Sequence, residues 1–513
     1  MSRPRTELLV LGLLTVLGLA LRLPLQGQSL FADEISTWWI ATTHGLGGAV
    51  STVHSDAEIT PPLYFVLSWL ATRIDQTPEL LRLPSLLAGV AAIPLTYQLG
   101  VKTVGRAAGL LAAGFVAVSP FMLFYSSEAR GYQVAIALVL GSTLALLAAV
   151  DSRRRRWWVV YAVCTCLAAY THYTTVFPLA AQLIWVLWQH PGARKPALIA
   201  NAAAVAFFLP WTTGLINDFQ SPTTDLLNAI DVLTLHSARV TVERWAVGHP
   251  LVIASTRLGA IPGRLALVLL GLGLAAAAAG VAVSWRRGER MRLDSRFALV
   301  AGLALGAPAG VLLVSLLGPD LVSVRHLAAS WPALALLTAA LIVRATAAAR
   351  VAAVVLIAAF FAIGAVKMQE ARFARPDYDA AARTIDRDAR SGDIVIDGTN
   401  LSPSPPSALD TALHRRHHVV HLGNARVQSD PFRITGPPAP PVPSTRRAIA
   451  ASPRGRVFIV SNEIFGVSPP RDPLTRAILR AIPRGYRRVS FKSYPGLLRV
   501  ALLVYEPPAS RRG

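Results

Sequence analysis

The sequence predicts an α-helical membrane protein with about eleven transmembrane helices and a small α/β domain at its C-terminal end. Of its 513 residues, 53% are hydrophobic and only 15% are charged, which is too apolar for an ordinary soluble protein. Apolar stretches long enough to cross a bilayer as helices recur between residues 8 and 366. We therefore expect a membrane domain over residues 1–366 and a second domain over residues 367–513.

The basic residues between the apolar stretches predict the orientation of the chain. The formal charge is +22, and much of it lies in short clusters such as 153–156, four consecutive arginines. Such clusters mark the inner side of a membrane, so we expect membrane lipid as a partner and no nucleic acid. Eleven spans place the N-terminus in the cytoplasm and the C-terminal domain outside the cell membrane.

The C-terminal region has the pattern of a small α/β domain. Short apolar runs rich in β-branched residues predict strands, and an amphipathic run at 378–390 predicts a helix. The proline-rich segment 437–443 is expected to be a connecting loop. The predicted strands are residues 393–397, 418–421, 457–460 and 500–505.

Charged and polar residues are predicted to gather at the outer ends of the membrane helices. A charge at bilayer depth costs free energy and is rare unless it has a task. Although distant in sequence, these residues share one depth and one side, which predicts an outward-facing polar cleft at the membrane surface. The residues are Asp33, Glu34, Glu128, Arg130, His172, Arg325 and His326.

The pair Asp33-Glu34 follows the first span and precedes Trp38 and Trp39. Indole rings favour the headgroup level of a membrane, and neighbouring carboxylates suit a general base. A helix cap explains the pair equally well, because an acidic residue in the first turn complements the helix dipole. The residues alone leave both interpretations open.

Two further groups are candidates for substrate binding. Glu128 is suited to hold an acceptor hydroxyl, whereas Arg130 and Arg325 are suited to a phosphate, because a guanidinium donates two parallel hydrogen bonds to its oxygens. The alternatives are an interfacial salt bridge for Glu128 and Arg130, and an arginine reaching outer headgroups for Arg325 and its neighbour His326.

A metal site in the first outer loop is a weaker hypothesis. His44 and His54 flank a glycine-rich turn, with Asp33, Glu34, Asp56 and Glu58 nearby in sequence. Histidine and carboxylate are ligands for divalent metals, but the spacing matches no established signature. We therefore predict no certain cofactor and leave a divalent metal as a possibility.

The order of the polar motifs resembles that of the GT-C membrane glycosyltransferases. The resemblance is to the family 39-like branch, which includes the protein O-mannosyltransferases and the aminoarabinose transferases of lipid A. It covers about residues 1–366, and it departs from the family at Thr60, where many relatives have histidine. The motifs are Asp33-Glu34, Thr60-Pro-Pro-Leu-Tyr64, Leu81-Arg-Leu-Pro-Ser85, Ser119-Pro-Phe121, Ser127-Glu-Ala-Arg-Gly-Tyr132, Thr171-His-Tyr173 and Arg325-His-Leu327.

The resemblance implies a GT-C-like fold and an enzyme that moves a hexose or pentose from a polyprenyl-phosphate carrier. The acceptor would be a cell-envelope glycan, lipid or protein on the outer side of the membrane. By similarity, Asp33 is the base in an inverting transfer and Glu34 orients it. The resemblance further implies a substrate site that contains Tyr64, Glu128, Arg130, Tyr132, His172, Tyr173, Arg325 and His326.

A transporter or flippase of lipid-linked sugars is the main alternative. Such a protein is expected to have internal repeats, broken helices and ionisable groups near the middle of the bilayer. The sequence shows none of these by inspection. A structural or assembly role, with the C-terminal region as a binding module, is a third possibility.

Overall fold

The computed structural model describes residues 3–221, 232–249, 261–288, 294–399, 406–422, 440–463 and 467–508. The chain forms two compact units. The first consists of residues 1–26, 45–252 and 260–368, and the second of residues 27–44, 253–259 and 369–513.

The first part of the chain is helical almost throughout. Among the described residues before position 369, the helices are α1 (Arg3–Gln26), α2 (Asp33–Thr43), α3 (Leu46–Thr52), α4 (Leu63–Ala71), α5 (Pro78–Thr103), α6 (Arg106–Val118), α7 (Pro120–Ser126), α8 (Tyr132–Ser152), α9 (Arg155–Ala169), α10 (Val176–Gln189), α11 (Arg194–Phe208), α12 (Thr212–Phe219), α13 (Leu235–Ala246), α14 (Arg264–Arg286), α15 (Ser295–Leu317), α16 (Trp331–Arg344) and α17 (Ala347–Met368). The predicted class of a polytopic helical membrane protein is confirmed.

Fewer helices are long enough to cross a membrane than the eleven spans that the sequence predicts. In the described part of the chain, eight helices are long and apolar enough to cross a membrane, or nine if the bent pair α6 and α7 is one span. The two other predicted spans are α9 and α10, which have 15 and 14 residues. At 1.5 Å per residue they are shorter than a hydrocarbon core of about 30 Å.

The bent pair is a broken helix, a feature that the sequence did not reveal. The axes of α6 and α7 differ by 58°. Pro120 begins α7 and has no N–H for the carbonyl of Val116 four residues earlier. The side chain of Arg22, fully buried on α1, donates to Val116 O at 3.1 Å and to Ala117 O at 2.9 Å. Its Nε donates to Ser126 Oγ at 2.9 Å, at the other end of α7.

Two glycines leave space for this arginine. A Cβ built on Gly89 would lie 2.1 Å from Ser126 Oγ, and one built on Gly18 would lie 2.4 Å from Ile93 Cδ1. Both contacts are closer than real Cβ atoms allow, so a side chain at Gly89 would displace Ser126 at the end of α7, and one at Gly18 would displace the tip of Ile93. The glycines and Arg22 together hold the broken helix against α1 and α5.

The C-terminal region of the second unit forms a five-stranded sheet in the order β2-β1-β3-β5-β4. β2 and β3 run parallel to β1, whereas β5 pairs antiparallel with β3 and β4. Ile394, Ile459 and Leu503 are fully buried in its core. The elements are α18 (Tyr378–Asp388), β1 (Ile394–Gly398), α19 (Ala408–Ala412), β2 (His418–His421), α20 (Pro441–Ala451), β3 (Val457–Asn462), α21 (Pro473–Ala481), β4 (Arg487–Tyr494) and β5 (Val500–Glu506).

Two details of this region differ from the sequence prediction. The strand β4 was not predicted, because polar residues outnumber apolar ones in it and most of its residues are exposed. The proline-rich segment 437–443 was expected to be a loop, yet residues 441–443 form the first turn of α20. Proline is tolerated there, since the first turn of a helix has no partner for its N–H groups. Residues 437–439 lie outside the described residues.

Candidate functional site

A small pocket in the first unit brings together residues from three of the sequence motifs. Three segments line it. They contribute Thr60, Tyr64 and Phe65, then residues 130–132, and finally Thr171 and His172. Its empty volume is about 230 Å³, including space open to solvent. Motifs that are distant in sequence therefore form one surface.

Hydrogen bonds from Ser85 on α5 hold two of these motifs together. Its hydroxyl lies 2.8 Å from the hydroxyl of Tyr64 and 2.7 Å from the carbonyl oxygen of Glu128. The same hydroxyl lies 3.2 Å from the carbonyl oxygen of Arg130. A single buried serine therefore connects α4 and α5 to the turn that carries Glu128 and Arg130.

Close backbone contact explains the glycine between Arg130 and Tyr132. A Cβ on Gly131 would lie 2.9 Å from the carbonyl oxygen of Thr171. The turn after α7 therefore lies directly against the turn that precedes His172. The ring centroids of Tyr132 and His172 are 5.1 Å apart.

Arg130 forms a buried ion pair with Glu58. The distance from Nη1 to Oε1 is 2.7 Å, and the side chains are only 6% and 8% exposed. The guanidinium also lies 5.8 Å from the ring centroid of Phe65. The salt bridge that the sequence suggested as an alternative is therefore present, but its acidic partner is Glu58. Glu128 is half-buried in the same turn.

His172 and His326 face each other beside the pocket. Their ring centroids are 5.7 Å apart. Burial, with the nearby charges of His326, Arg325 and Arg130, holds the pKa of His172 well below its ordinary value. His172 is therefore neutral at physiological pH, and its Nδ1 accepts a hydrogen bond from the N–H of Thr174 at 3.3 Å.

The predicted binding residues Arg325 and His326 lie in the short helical turn Val324–Ser330 that leads into α16. Both side chains are half-buried. His326 Nδ1 lies 2.7 Å from the carbonyl oxygen of Leu321. Since this bond uses Nδ1 as the donor, Nε2 is the ring nitrogen with a lone pair when His326 is neutral.

Tyr173 belongs to a neighbouring cluster outside the residues that line the pocket. Its hydroxyl donates to Asp218 Oδ2 and accepts a hydrogen bond of 3.0 Å from Trp211 Nε1. Burial and the negative charge of Asp218 raise the pKa of Tyr173. Tyr173 is therefore bonded to Asp218, a residue of α12.

Asp33 and Glu34 are the first two residues of α2, in the second unit. Asp33 is exposed, whereas Glu34 is 1% exposed and pairs with Arg375 at 2.9 Å. Glu34 Oε2 also accepts from the N–H of Phe31 at 3.3 Å. Both acidic residues stand in the first turn of α2, where negative charge complements the helix dipole, and Asp33 is the exposed one of the two.

The segment around Asp33 is bound to the C-terminal region at two further points. Gln28 Oε1 accepts from the N–H of Arg375 at 3.0 Å, and Ser29 Oγ accepts from the N–H of Asp379 at 3.1 Å. Ala32, directly before α2, has a φ of 52°. A residue with a Cβ pays roughly 1–3 kcal/mol for such a conformation, so the surrounding contacts hold it in place.

The two histidines proposed as weak metal candidates have other neighbours. His44 Nδ1 lies 2.9 Å from Thr43 Oγ1, and His54 Nε2 lies 2.8 Å from Thr213 Oγ1. Within the described residues, neither belongs to a cluster of three metal-ligand side chains.

The sequence did not predict the contacts of three residues in the site region. Glu58 was grouped with possible metal ligands, Ser85 appeared only as part of a motif, and Arg22 was not singled out. An arginine inside an otherwise apolar span was the available signal for Arg22. The partner of Glu58 lies 72 residues away, and spacing alone does not reveal such a pair.

Residues 60–213 match the family model described as dolichyl-phosphate-mannose-protein mannosyltransferase. No curated protein sequence matches the chain significantly. These residues include the pocket motifs from Thr60 to His172, so the resemblance to the family 39-like glycosyltransferases is confirmed over this region.

Solved structures share the fold at low sequence identity. The archaeal oligosaccharyltransferase AglB from Archaeoglobus fulgidus, in complex with an inhibitory peptide and a dolichol-phosphate, is 14% identical, with a TM-score of 0.50. The alignment covers 89% of this chain and 69% of that one. The same organism's oligosaccharyltransferase tethered with an acceptor peptide is 13% identical over 90% and 69%, with a TM-score of 0.51.

A third structure aligns over nearly the whole of both chains. ArnT from Cupriavidus metallidurans bound to undecaprenyl phosphate is 12% identical over 98% of each chain, with a TM-score of 0.43. The fold assignment rests on the two archaeal structures and on the helical architecture. The chain is therefore a multi-pass membrane protein with the fold of the GT-C glycosyltransferases, similar over residues 60–213 to the dolichyl-phosphate-mannose-protein mannosyltransferase family.

Proposed function

We propose that this protein transfers a sugar from a polyprenyl-phosphate carrier to a hydroxyl group of the cell envelope. The observation that carries the proposal is the pocket at 60–172, because it is formed by the motifs that match the mannosyltransferase family model. The fold neighbour AglB, whose structure contains a dolichol-phosphate, supports a lipid-phosphate carrier as the donor. The acceptor is an envelope glycan, lipid or protein.

The chemistry proposed for the site is a single inverting displacement. Asp33 removes the proton from the acceptor hydroxyl, and the oxygen attacks the anomeric carbon of the donor sugar. The bond from that carbon to the carrier oxygen breaks, and polyprenyl phosphate leaves with the electron pair. A phosphate is a good leaving group, so general-base catalysis on the acceptor contributes more than protonation of the carrier.

We assign the donor phosphate to Arg325, with His326 beside it. The guanidinium provides the positive charge and the paired donors that a phosphate requires. His172 is neutral, and Arg130 is engaged with Glu58, so we assign both to shaping the pocket together with Tyr64 and Tyr132. Glu128 is the proposed contact for the acceptor.

We propose that the site faces the outer side of the membrane, with the N-terminus in the cytoplasm and the C-terminal domain outside. The support is the distribution of basic residues, which gather in the loops assigned to the inner side. A site at headgroup depth leaves the prenyl chain in hydrocarbon while the sugar reaches water. Glu34, by its pair with Arg375, orients the segment that carries Asp33.

The broken helix and the intramembrane Arg22 are features that the flippase alternative expects, so the test has to separate the two functions. Proteoliposomes containing the purified protein are given polyprenyl-phosphate carriers loaded with radiolabelled mannose or arabinose, with envelope extract as acceptor. We expect label on the acceptor and no protein-dependent movement of the carrier across the bilayer. Carrier movement without transfer to any acceptor would contradict the proposal and establish the flippase.

A further inference from the structure

The C-terminal sheet carries a cluster of two aspartates and one histidine that the proposed sugar transfer does not use. Asp397 is the penultimate residue of β1, and His421 pairs with it in register on the parallel strand β2. Asp410 lies on α19, which connects the two strands. One ligand atom from each of the three side chains lies within 4.8 Å of the others.

The fully buried carboxylate of Asp397 sets the orientation of the histidine ring. Its Oδ1 accepts hydrogen bonds from the N–H and the hydroxyl of Thr399, at 2.8 and 2.6 Å. Its Oδ2 lies 3.1 Å from His421 Nδ1. Because a carboxylate only accepts, Nδ1 carries a proton, and Nε2 is left as the ring nitrogen that can bind a cation.

The second nitrogen of His421 points at another carboxylate. The distance from Nε2 to Asp410 Oδ2 is 3.4 Å. A charge-assisted hydrogen bond between such groups is shorter, about 2.7–2.9 Å. Two atoms that coordinate one tetrahedral zinc ion, each at about 2.0–2.2 Å, are instead about 3.3–3.5 Å apart. The observed separation matches that of two metal ligands.

The surroundings are those of a metal site open to solvent. His421 and Asp410 are 20% and 25% exposed, so an ion can enter and keep further oxygen ligands. A histidine that binds a metal through one ring nitrogen commonly donates the N–H of the other to a carboxylate, as His421 does to Asp397. Two carboxylates beside one imidazole also place negative charge where a cation would bind.

We propose that the C-terminal region binds a divalent transition-metal ion of the zinc type between His421 Nε2 and the carboxylate of Asp410, with Asp397 as the residue that orients His421. Water or another oxygen ligand completes the coordination. When the ion binds to a protonated His421, the proton on Nε2 passes to solvent. No other bond of the protein breaks.

The test measures zinc directly and involves no sugar transfer, so its result is independent of the proposed function. Purified full-length protein in detergent is freed of metal with a chelator, given zinc chloride, passed over a gel-filtration column and assayed for bound zinc. Competition with a zinc-binding dye gives the affinity. We expect the saturable site to disappear in Asp410→Asn and His421→Gln, and to weaken roughly 10–100-fold in Asp397→Asn.

The matched control is His417→Gln, because His417 pairs with Asp386 at 2.7 Å in the same unit and lies outside the cluster. It is expected to bind zinc like the wild type. A wild-type protein without a saturable site, or variants at positions 410 and 421 that both retain it, would overturn the proposal. If those variants do not fold, the X-ray absorption spectrum of the zinc-loaded wild type decides: it must show one imidazole nitrogen among oxygen ligands, and a spectrum without imidazole overturns the assignment.

Discussion

Arg375 binds the C-terminal region to the segment that carries the candidate base, Asp33. Its guanidinium pairs with Glu34, and its own N–H donates to Gln28. The ion pair with Glu34 is buried, and both bonds hold residues that lie within five positions of Asp33. The pair therefore stabilises the position from which Asp33 presents its carboxylate.

Replacing Arg375 with methionine is expected to destabilise the second unit and to lower sugar transfer. A buried carboxylate that loses its partner costs roughly 3–5 kcal/mol. We expect a lower melting temperature in detergent and a lower kcat, with the KM for the donor near its wild-type value, because Arg375 orients the base and not the carrier. The measurements are thermal unfolding and the transfer assay.

Arg372→Met is the matched control for Arg375→Met. Arg372 pairs with Glu370 at 2.5 Å, but its side chain is 58% exposed, so its loss is expected to change little. Equal effects of the two substitutions on transfer would contradict the positioning role of Arg375.

At the scale of single residues, the motifs were recognisable in the sequence, but the bonds that join them were not. Tyr64, Tyr132 and His172 were predicted together, and they line one pocket. The pairs Glu58–Arg130 and Glu34–Arg375 were not predicted. The tertiary structure determines which arginine a carboxylate pairs with. A single sequence contains no signal for a pair of residues far apart in the chain.

At the scale of elements, the broken helix of α6 and α7 is the feature closest to the site. It sets where α7 ends, and the turn with Glu128 and Arg130 follows directly. Arg22 replaces the N–H group that Pro120 lacks, so one charged side chain satisfies the carbonyl oxygens of Val116 and Ala117.

The substitution Arg22→Met is expected to lower the free energy of unfolding, because buried carbonyl oxygens lose their donors at about 1–3 kcal/mol each. Adding Pro120→Ala restores an N–H at residue 120. The double variant is therefore expected to melt at a higher temperature than Arg22→Met alone. Thermal unfolding in detergent measures both changes.

The control for Arg22→Met is Arg154→Met, an exposed arginine in the loop after α8 that is expected to leave the melting temperature unchanged. A wild-type melting temperature for Arg22→Met would contradict the role given to this residue. So would a double variant less stable than Arg22→Met.

The elements that periodicity predicts best are the long apolar helices and the buried strands. The apolar stretches 133–150 and 297–317 predict two spans, and helices α8 and α15 begin and end within two residues of them. The exposed strand β4 was missed, because most of its side chains are polar and exposed. The bend at Pro120 was missed because proline is common inside membrane helices, where neighbouring groups satisfy the freed carbonyl.

At the scale of the whole molecule, the class of fold followed from composition, whereas the division into units did not. The chain was predicted to divide near residue 367, and the segment 27–44 was assigned to the membrane domain. The structure groups this segment with residues 369–513 instead. Contacts such as Glu34–Arg375 produce this grouping, and a boundary drawn from hydropathy does not detect them.

The measurement that tests the proposed function most directly separates donor binding from transfer in the purified full-length protein. The kcat and the KM for a radiolabelled polyprenyl-phosphate sugar are compared for the wild type, Asp33→Asn, Arg325→Gln and the exposed control Asp75→Asn. Asp33→Asn is expected to lower kcat roughly 10²–10⁴-fold with little change in KM, as removal of a general base does. Arg325→Gln is expected to raise the KM for the donor, and Asp75→Asn to behave as the wild type. An Asp33→Asn protein that transfers sugar at the wild-type rate would contradict the account.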